Sequence, residues 1–342
     1  MVPENKLKEI RDILENSKNP LFFYDDDCDG TMSFAILRKT YNKGKGIILK
    51  TAPILDEKFI KKVEENYPDL IVVLDVANLT QEFIDKANVP IIWIDHHPIL
   101  KRKKVNYLNP LLFDDQDTRP TSYWAYKIAK KYEWLATIGC VYDHYIPDFI
   151  DNFNKEFPFL ALKTKDPSTA KLESEIAKII KIISFNLKGK TEDVKQSINV
   201  LLKIESPMEI TEQSTPLGKF LFKRYLKLNK EYESLLEESL KSLDKEDKFL
   251  VFIYPNQKTS FSTELSNELI HRYRDKIVLI GRENRGLIKL SFRSFNTPLP
   301  EKINKALAGI NGHAGGHQFA CGGTIPSNDF ERFLDNFKRQ FN

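Results

Sequence analysis

Four aspartates fall within five residues at Asp25-Asp26-Asp27-Cys28-Asp29, and Gly30 and Thr31 follow at once. They close the apolar run Leu21-Phe22-Phe23-Tyr24. In an extended backbone the side chains of Asp25, Asp27 and Asp29 point to one side. Carboxylates crowded there repel one another unless a cation neutralises them or some hold protons. A solvated turn accounts for Asp26, but not for an acidic cluster that ends a buried strand. The cluster reads as a metal or phosphate site.

Two further acidic endings follow. Asp75 closes the run Leu70-Ile-Val-Val-Leu74, and Asp95-His96-His97 closes Ile91-Ile-Trp-Ile94. One aspartate after a strand commonly caps the next helix. Three such endings, one with paired histidines, exceed what capping needs. Mixed carboxylate and imidazole donors suit Mn²⁺, Fe²⁺ or Zn²⁺ better than Mg²⁺. About five ligands suggest a two-metal site, one ion activating water and the other steadying the leaving oxygen of a phosphate ester.

The elements that must carry these groups alternate. Helical patterns at Lys6–Asn16, Met32–Tyr41, 56–66 and Gln81–Ala87 separate strand-like runs at Leu21–Tyr24, Gly46–Lys50, Asp69–Asp75 and Pro90–Asp95. Continuous apolar strands between helices indicate an α/β fold with a parallel sheet buried on both faces. Ligands of such sheets bind beyond the carboxyl ends of the strands, where the acidic groups fall.

A chain of 342 residues predicts two domains with sizeable cores. A net charge of +4, from 52 basic and 48 acidic residues, neither announces nor excludes a nucleic-acid partner. Cys28, Cys140 and Cys321 form no CxxC pair, which predicts a reducing cytoplasm and no cysteine zinc site. No apolar run approaches about 18 residues and the first ten residues are polar, so neither a signal peptide nor a membrane partner is expected.

Asp25-x-Asp27-x-Asp29-Gly30, Leu74-Asp75 and Asp95-His96-His97 resemble the first three motifs of the DHH phosphoesterases, and Ala136–Asp143 resembles the fourth. Ser291-Phe-Arg293-Ser294 and Gly315-Gly316-His317 through Gly323 resemble the DHH-associated substrate domain of the RecJ-like branch. The motifs keep the family's order from residue 25 to 323. The resemblance implies one metal on Asp25, Asp27 and Asp75, and another on Asp29, Asp75, His96 and Asp143. Many relatives carry His where this chain has Asp25, while some RecJ proteins have Asp. It implies His97 either as a group behind the metal ligands or as a phosphate-contacting group, and not as a ligand, Asp95 as the orienter of an imidazole, and Ser291, Arg293, Gly315, Gly316 and His317 as the substrate-binding set. Arg293 and His317 would position the chain end for catalysis. Two Mn²⁺ ions are the expected cofactors, with Mg²⁺ as substitute.

Other motifs compete. D-x-D-x-D-G also opens an EF-hand loop, but the twelfth position is Ile36 instead of Glu. Phe22–Thr31 also resembles the first motif of haloacid-dehalogenase phosphatases, with Asp27 as nucleophile, a reading that leaves His96-His97 without a role. Lys101-Arg-Lys-Lys104 is by default a solvated loop. Between 150 and 245 nothing aligns, although Leu221, Tyr225, Leu228, Tyr232 and Leu235 form one apolar stripe of a helix over Pro216–Lys245. Beyond 247 a small α/β domain is expected, with strands Phe249–Tyr254, Lys276–Ile280 and Gly286–Phe292 and helices Ser262–Tyr273 and Phe330–Phe341. Its glycine-rich run 309–323 reads as an anion-binding loop.

The sequence therefore predicts a parallel-sheet DHH domain over 1–160, a helical connector over 161–246, and a smaller α/β DHH-associated domain over 247–342. The expected activity is metal-dependent exonucleolytic hydrolysis of single-stranded DNA or RNA. The alternatives are a phosphoesterase of short oligonucleotides or nucleoside bisphosphates, and a non-catalytic scaffold. A replication or repair protein is an expected partner.

Overall fold

The computed structural model describes residues 2–50, 54–256 and 259–341. The chain divides into two compact units, Met1–Tyr225 and Leu226–Asn342.

The first unit opens with α1 (Glu4–Asn16), β1 (Pro20–Asp25), α2 (Cys28–Tyr41), β2 (Lys45–Leu49), β3 (Ile54–Leu55) and α3 (Ile60–Asn66). It continues with β4 (Leu70–Leu74), β5 (Asn78–Leu79), α4 (Gln81–Ala87), β6 (Ile91–Ile94) and β7 (Asn106–Leu108). Helices follow: α5 (Thr121–Ala129), α6 (Glu133–Tyr142), α7 (Ile150–Glu156), α8 (Pro167–Leu172), α9 (Glu175–Asn186), α10 (Thr191–Leu201) and α11 (Pro207–Thr211). The boundary between the units falls inside α12 (Pro216–Lys241).

Five strands form one sheet in the order β2-β1-β4-β6-β7, all parallel. Period-two alternation sends Phe22, Tyr24, Val72, Leu74, Ile92 and Ile94 into a core with α2, α5 and α6. It sends Leu21, Phe23, Ile71, Val73, Ile91 and Trp93 into a second core with α3 and α4. Both faces are thus covered, which is why these strands read as unbroken apolar runs. The direction of strand addition reverses between β1 and β4, the switch point where such sheets bind ligands.

The second unit contains β8 (Phe249–Tyr254), α13 (Ser262–Arg272), β9 (Ile277–Asn284), β10 (Leu287–Ser294) and α14 (Pro300–Ala306). After these come β11 (His313–His317), β12 (Ala320–Pro326) and α15 (Phe330–Lys338). Its sheet runs β11-β12-β10-β9-β8, parallel only between β8 and β9. Phe292, Phe333 and Phe337 centre the core under α14 and α15. The glycine-rich run at 309–323 is not a single loop: Gly315, Gly316, Gly322 and Gly323 are built into the antiparallel strands β11 and β12, whose ladder they complete.

Candidate metal centre

The acidic run does not stay extended. β1 ends at Asp25, and Asp27 caps α2, its carboxylate accepting from Gly30 N at 3.0 Å. Gly30 lets the helix close against the strand end, because a Cβ there would lie 2.8 Å from Asp25 O. This strand-to-helix junction, not one face of a strand, brings Asp25, Asp27 and Asp29 to the switch point.

Asp29 is fully buried, and both its oxygens are held by the first amides of α5, Thr121 N at 2.7 Å and Ser122 N at 2.9 Å. The positive end of that helix favours the carboxylate. Asp75 sits just past β4 with φ of 58°, a left-handed backbone uncommon for residues other than glycine. Its Oδ1 accepts from Thr121 Oγ1 at 3.2 Å and lies 3.4 Å from His96 Nε2. His96 Nε2 is also 3.5 Å from Asp143 Oδ2, at the end of α6. His97 bonds through Nδ1 to Asp95 Oδ1 at 2.8 Å. Asn109 Nδ2 donates to His97 O at 2.8 Å, fixing the loop that carries both histidines.

Three sets of donor atoms lie within 4.8 Å of one another: Asp25 with Asp27 and Asp75, Asp29 with His96 and Asp143, and Asp75 with His96 and His97. Asp75 and His96 each belong to two sets. Burial raises the Asp25 carboxyl to about 9, with the charges of Asp27 and Asp75 adding to it. Burial likewise raises Asp27 and Asp75, helped by repulsion from Asp29. Burial lifts Asp143 to about 7 against the pull of His96. It opposes charge on His96, but the contact with Asp75 and the charges of Asp75, Asp143 and Asp29 win and raise the imidazole well above its usual value. His97 rises to about 9, the Asp95 bond outweighing its burial. Each shift reports buried negative charge in excess of its compensation, which a divalent cation removes. Hard oxygens plus an imidazole also match the donor preferences of Mn²⁺ and admit Mg²⁺. The residues fit the group.

Ser291 and Arg293 lie on β10, and Gly315, Gly316 and His317 on β11. The register aligns Arg293 with Ala320 and Ala320 with His317, and likewise Ser291 with Gly322 and Gly315. Arg293 and His317 therefore stand in one row across β12, about 10 Å apart by strand spacing. Ser291 is buried and bonded to Ser266 Oγ at 2.8 Å, while Arg293 Nε donates to Asn267 Oδ1 at 2.7 Å. His317, Gly315 and Gly316 are exposed.

Thr121, Ser122, Tyr107 and Asn109 were not singled out by sequence. Thr121 and Ser122 act on Asp29 through backbone N–H groups, which leave no trace in side-chain chemistry. The one signal was the helix start at Pro120-Thr121-Ser122. Arg102, within the basic run, donates through Nε to Leu79 O at 2.5 Å and so fastens its loop to β5. All three cysteines are buried, and none forms a disulfide among the described residues.

A switch-point sheet bearing this carboxylate–imidazole centre defines a class of metal-binding α/β protein. The chain belongs to the DHH family: residues 21–148 match the DHH family, N-terminal domain, and residues 246–342 match the DHHA1 domain. Members of that family are metal-dependent phosphoesterases, and the haloacid-dehalogenase reading falls with this assignment. Its fold is RecJ-like. RecJ from Thermus thermophilus in complex with Mn²⁺ aligns with TM-score 0.74 and 18% identity, over 99% of this chain and 55% of that one. An exonuclease RecJ bound to manganese aligns with TM-score 0.67 and 14% identity, over 99% and 95%. CDC45 from Entamoeba histolytica aligns with TM-score 0.56 and 10% identity, over 99% of each chain. The chain spans about half the length of the Thermus RecJ, and likeness at these identities is likeness of fold. No curated protein matches the sequence. Among the described residues no helix is long and apolar enough to cross a membrane.

Proposed function

We propose that this chain is a metal-dependent exonuclease hydrolysing the terminal phosphodiester of single-stranded DNA or RNA, with two Mn²⁺ ions as its preferred cofactors. The observation that carries the reading is the three overlapping donor sets at the switch point. Asp25, Asp27 and Asp75 would hold one ion, and Asp29, Asp75, His96 and Asp143 the other. When bound, such ions acidify water and neutralise phosphate oxygens. The α5 amides hold both oxygens of Asp29 and fix the direction of its carboxylate. Asp95 fixes the His97 ring through Nδ1, leaving Nε2 as the atom offered to a phosphate oxygen. In the second unit, Arg293 and His317 flank the small Ala320, beside which a chain end can rest, and the guanidinium supplies a paired phosphate contact that lysine cannot. We assign Gly315 and Gly316 to the same substrate-binding surface, and Ser291, buried against Ser266, to its support from beneath.

A time course on end-labelled single strands of two to thirty nucleotides (roughly the range over which length-dependent contacts develop) tests this. Stepwise release of mononucleotides with Mn²⁺, abolished by chelation, is expected. Hydrolysis confined to the shortest substrates would make the chain a short-oligonucleotide phosphoesterase, and full activity after chelation would overturn both readings. Arg293→Ala and His317→Ala should each slow turnover about 30- to 1000-fold, the loss of a charged phosphate contact. Their calorimetric Mn²⁺ isotherms should match the wild type.

A further inference from the structure

Residues 149–245 lie outside both family matches, yet part of this segment reaches the carboxylate centre. The ammonium of Lys171, on α8, lies 3.3 Å from His144 Nε2 and 4.2 Å from the centre of the Tyr142 ring. Tyr142 and His144 are the chain neighbours of Asp143, whose carboxylate approaches His96. One cation from the unmatched segment thus touches both flanks of a residue in the second donor set.

The arrangement is accessible and unusual. His144 is exposed and Lys171 half-buried. His144 adopts φ of 57°, a left-handed backbone that is costly for any side chain and recurs at functional sites. That turn points the imidazole back toward α8. A centre this rich in carboxylate repels a polyanion, so a strand entering it needs cations at the rim as well as in the middle. An ammonium carries three N–H donors and acts on phosphate as a point charge.

We propose that Lys171 and His144 form a phosphate-positioning pair, holding the non-bridging oxygens of a substrate phosphate adjacent to the one being cut. The proposal rests on the phosphodiesterase reading above and gives a role to a segment that neither family match reaches.

Two measurements decide it. In the first, inorganic phosphate is titrated into the Mg²⁺-loaded protein while the His144 ring resonance, assigned with His144→Gln, is followed by NMR. A saturating shift in the wild type, lost in Lys171→Ala and kept in Lys171→Arg, is expected. An unmoved resonance overturns the pair as an anion site, whatever the protein hydrolyses. In the second, oligonucleotides carry one neutral methylphosphonate, placed at each linkage in turn. Lys171→Ala should reduce kcat/KM about ten- to a hundredfold on the all-phosphate strand, mostly through KM. At one linkage next to the cut, the methylphosphonate should cost the variant less than about twofold further, because the partner is already gone. Additive losses at every linkage overturn the proposal. If the wild type cleaves no oligonucleotide, the exonuclease reading fails, and the phosphate titration alone judges the pair. Melting temperatures equal to wild type confirm that the variants fold.

Discussion

Asp75 and Asp26 are both acidic residues beside the same strand ends, yet their surroundings give them opposite weight. Asp75 is nearly inaccessible, stands in two donor sets and touches Thr121 and His96. Asp26 belongs to none of the donor sets. Asp75→Asn should therefore cost at least about 100-fold in turnover, more than loss of an outer-sphere partner, and abolish the tight phase of Mn²⁺ calorimetry. Asp26→Asn should stay within about threefold of wild type, the effect of a peripheral charge. Similar losses in the two variants would contradict the placement. At this scale the sequence was highly legible where residue type carries the chemistry. Asp25, Asp27, Asp29, Asp75, His96 and Asp143 all lie around the switch point. The single extended face expected for the first three does not form, since a helix begins at Cys28. Backbone donors such as Thr121 N and Ser122 N were illegible, because every residue but proline has one.

Among the elements, α5 and α6 set the depth of the centre, one by holding Asp29 and the other by presenting Asp143. Gly139 governs their approach: a Cβ there would meet Ser122 Oγ at 2.4 Å and Ser122 Cβ at 2.7 Å. Gly139→Ala should destabilise by about 1–3 kcal/mol, the usual cost of overpacking. It should also weaken Mn²⁺ binding by pushing Ser122 N away from Asp29. Gly315→Ala, where a Cβ meets nothing within 4 Å, should melt like the wild type. Thermal melts and calorimetry of the two variants check both statements. The element pattern explains which parts of the fold could be read in advance. β1, β4, β6 and β8 are apolar runs bounded by polar residues, so their periodicity was plain. β11 and β12 were hidden because glycine has little strand preference, and their existence depends on partners distant in sequence. β7 has three residues, too few for any pattern.

For the whole molecule, the raised carboxyls mean that burying these groups at the switch point, and secondarily their mutual repulsion, opposes folding until cations arrive. Binding to the native state alone stabilises by about 2.7 kcal/mol at a free ion concentration of a hundred times Kd. For a chain of this size that is a rise in Tm of roughly 4 °C. Melts in Mn²⁺ and in excess chelator should differ by that amount, and the difference should largely vanish in Asp75→Asn. Equal melting temperatures for the wild type in the two conditions would show that the centre gains nothing from the ion. The DHH and DHHA1 portions were legible from their motifs. Between them α12 was legible from its apolar stripe, but the packing of the connecting helices was not, because it is set by neighbours such as Asn186 bonding to Leu221 O and not by a recurring chemical signature.

The left-handed backbone of Asp75 bears on heredity. A glycine at this position would relieve about 1 kcal/mol of backbone strain and remove one of the mutually repelling carboxylates. A lineage selected only for a stable fold would therefore trade the aspartate away. Under the proposed metal role, selection on the chemistry would keep it, and Asp75 would serve as a marker of use. In descendants that abandoned catalysis, residue 75 should drift early while its buried neighbours Leu74 and Ile94 stay apolar.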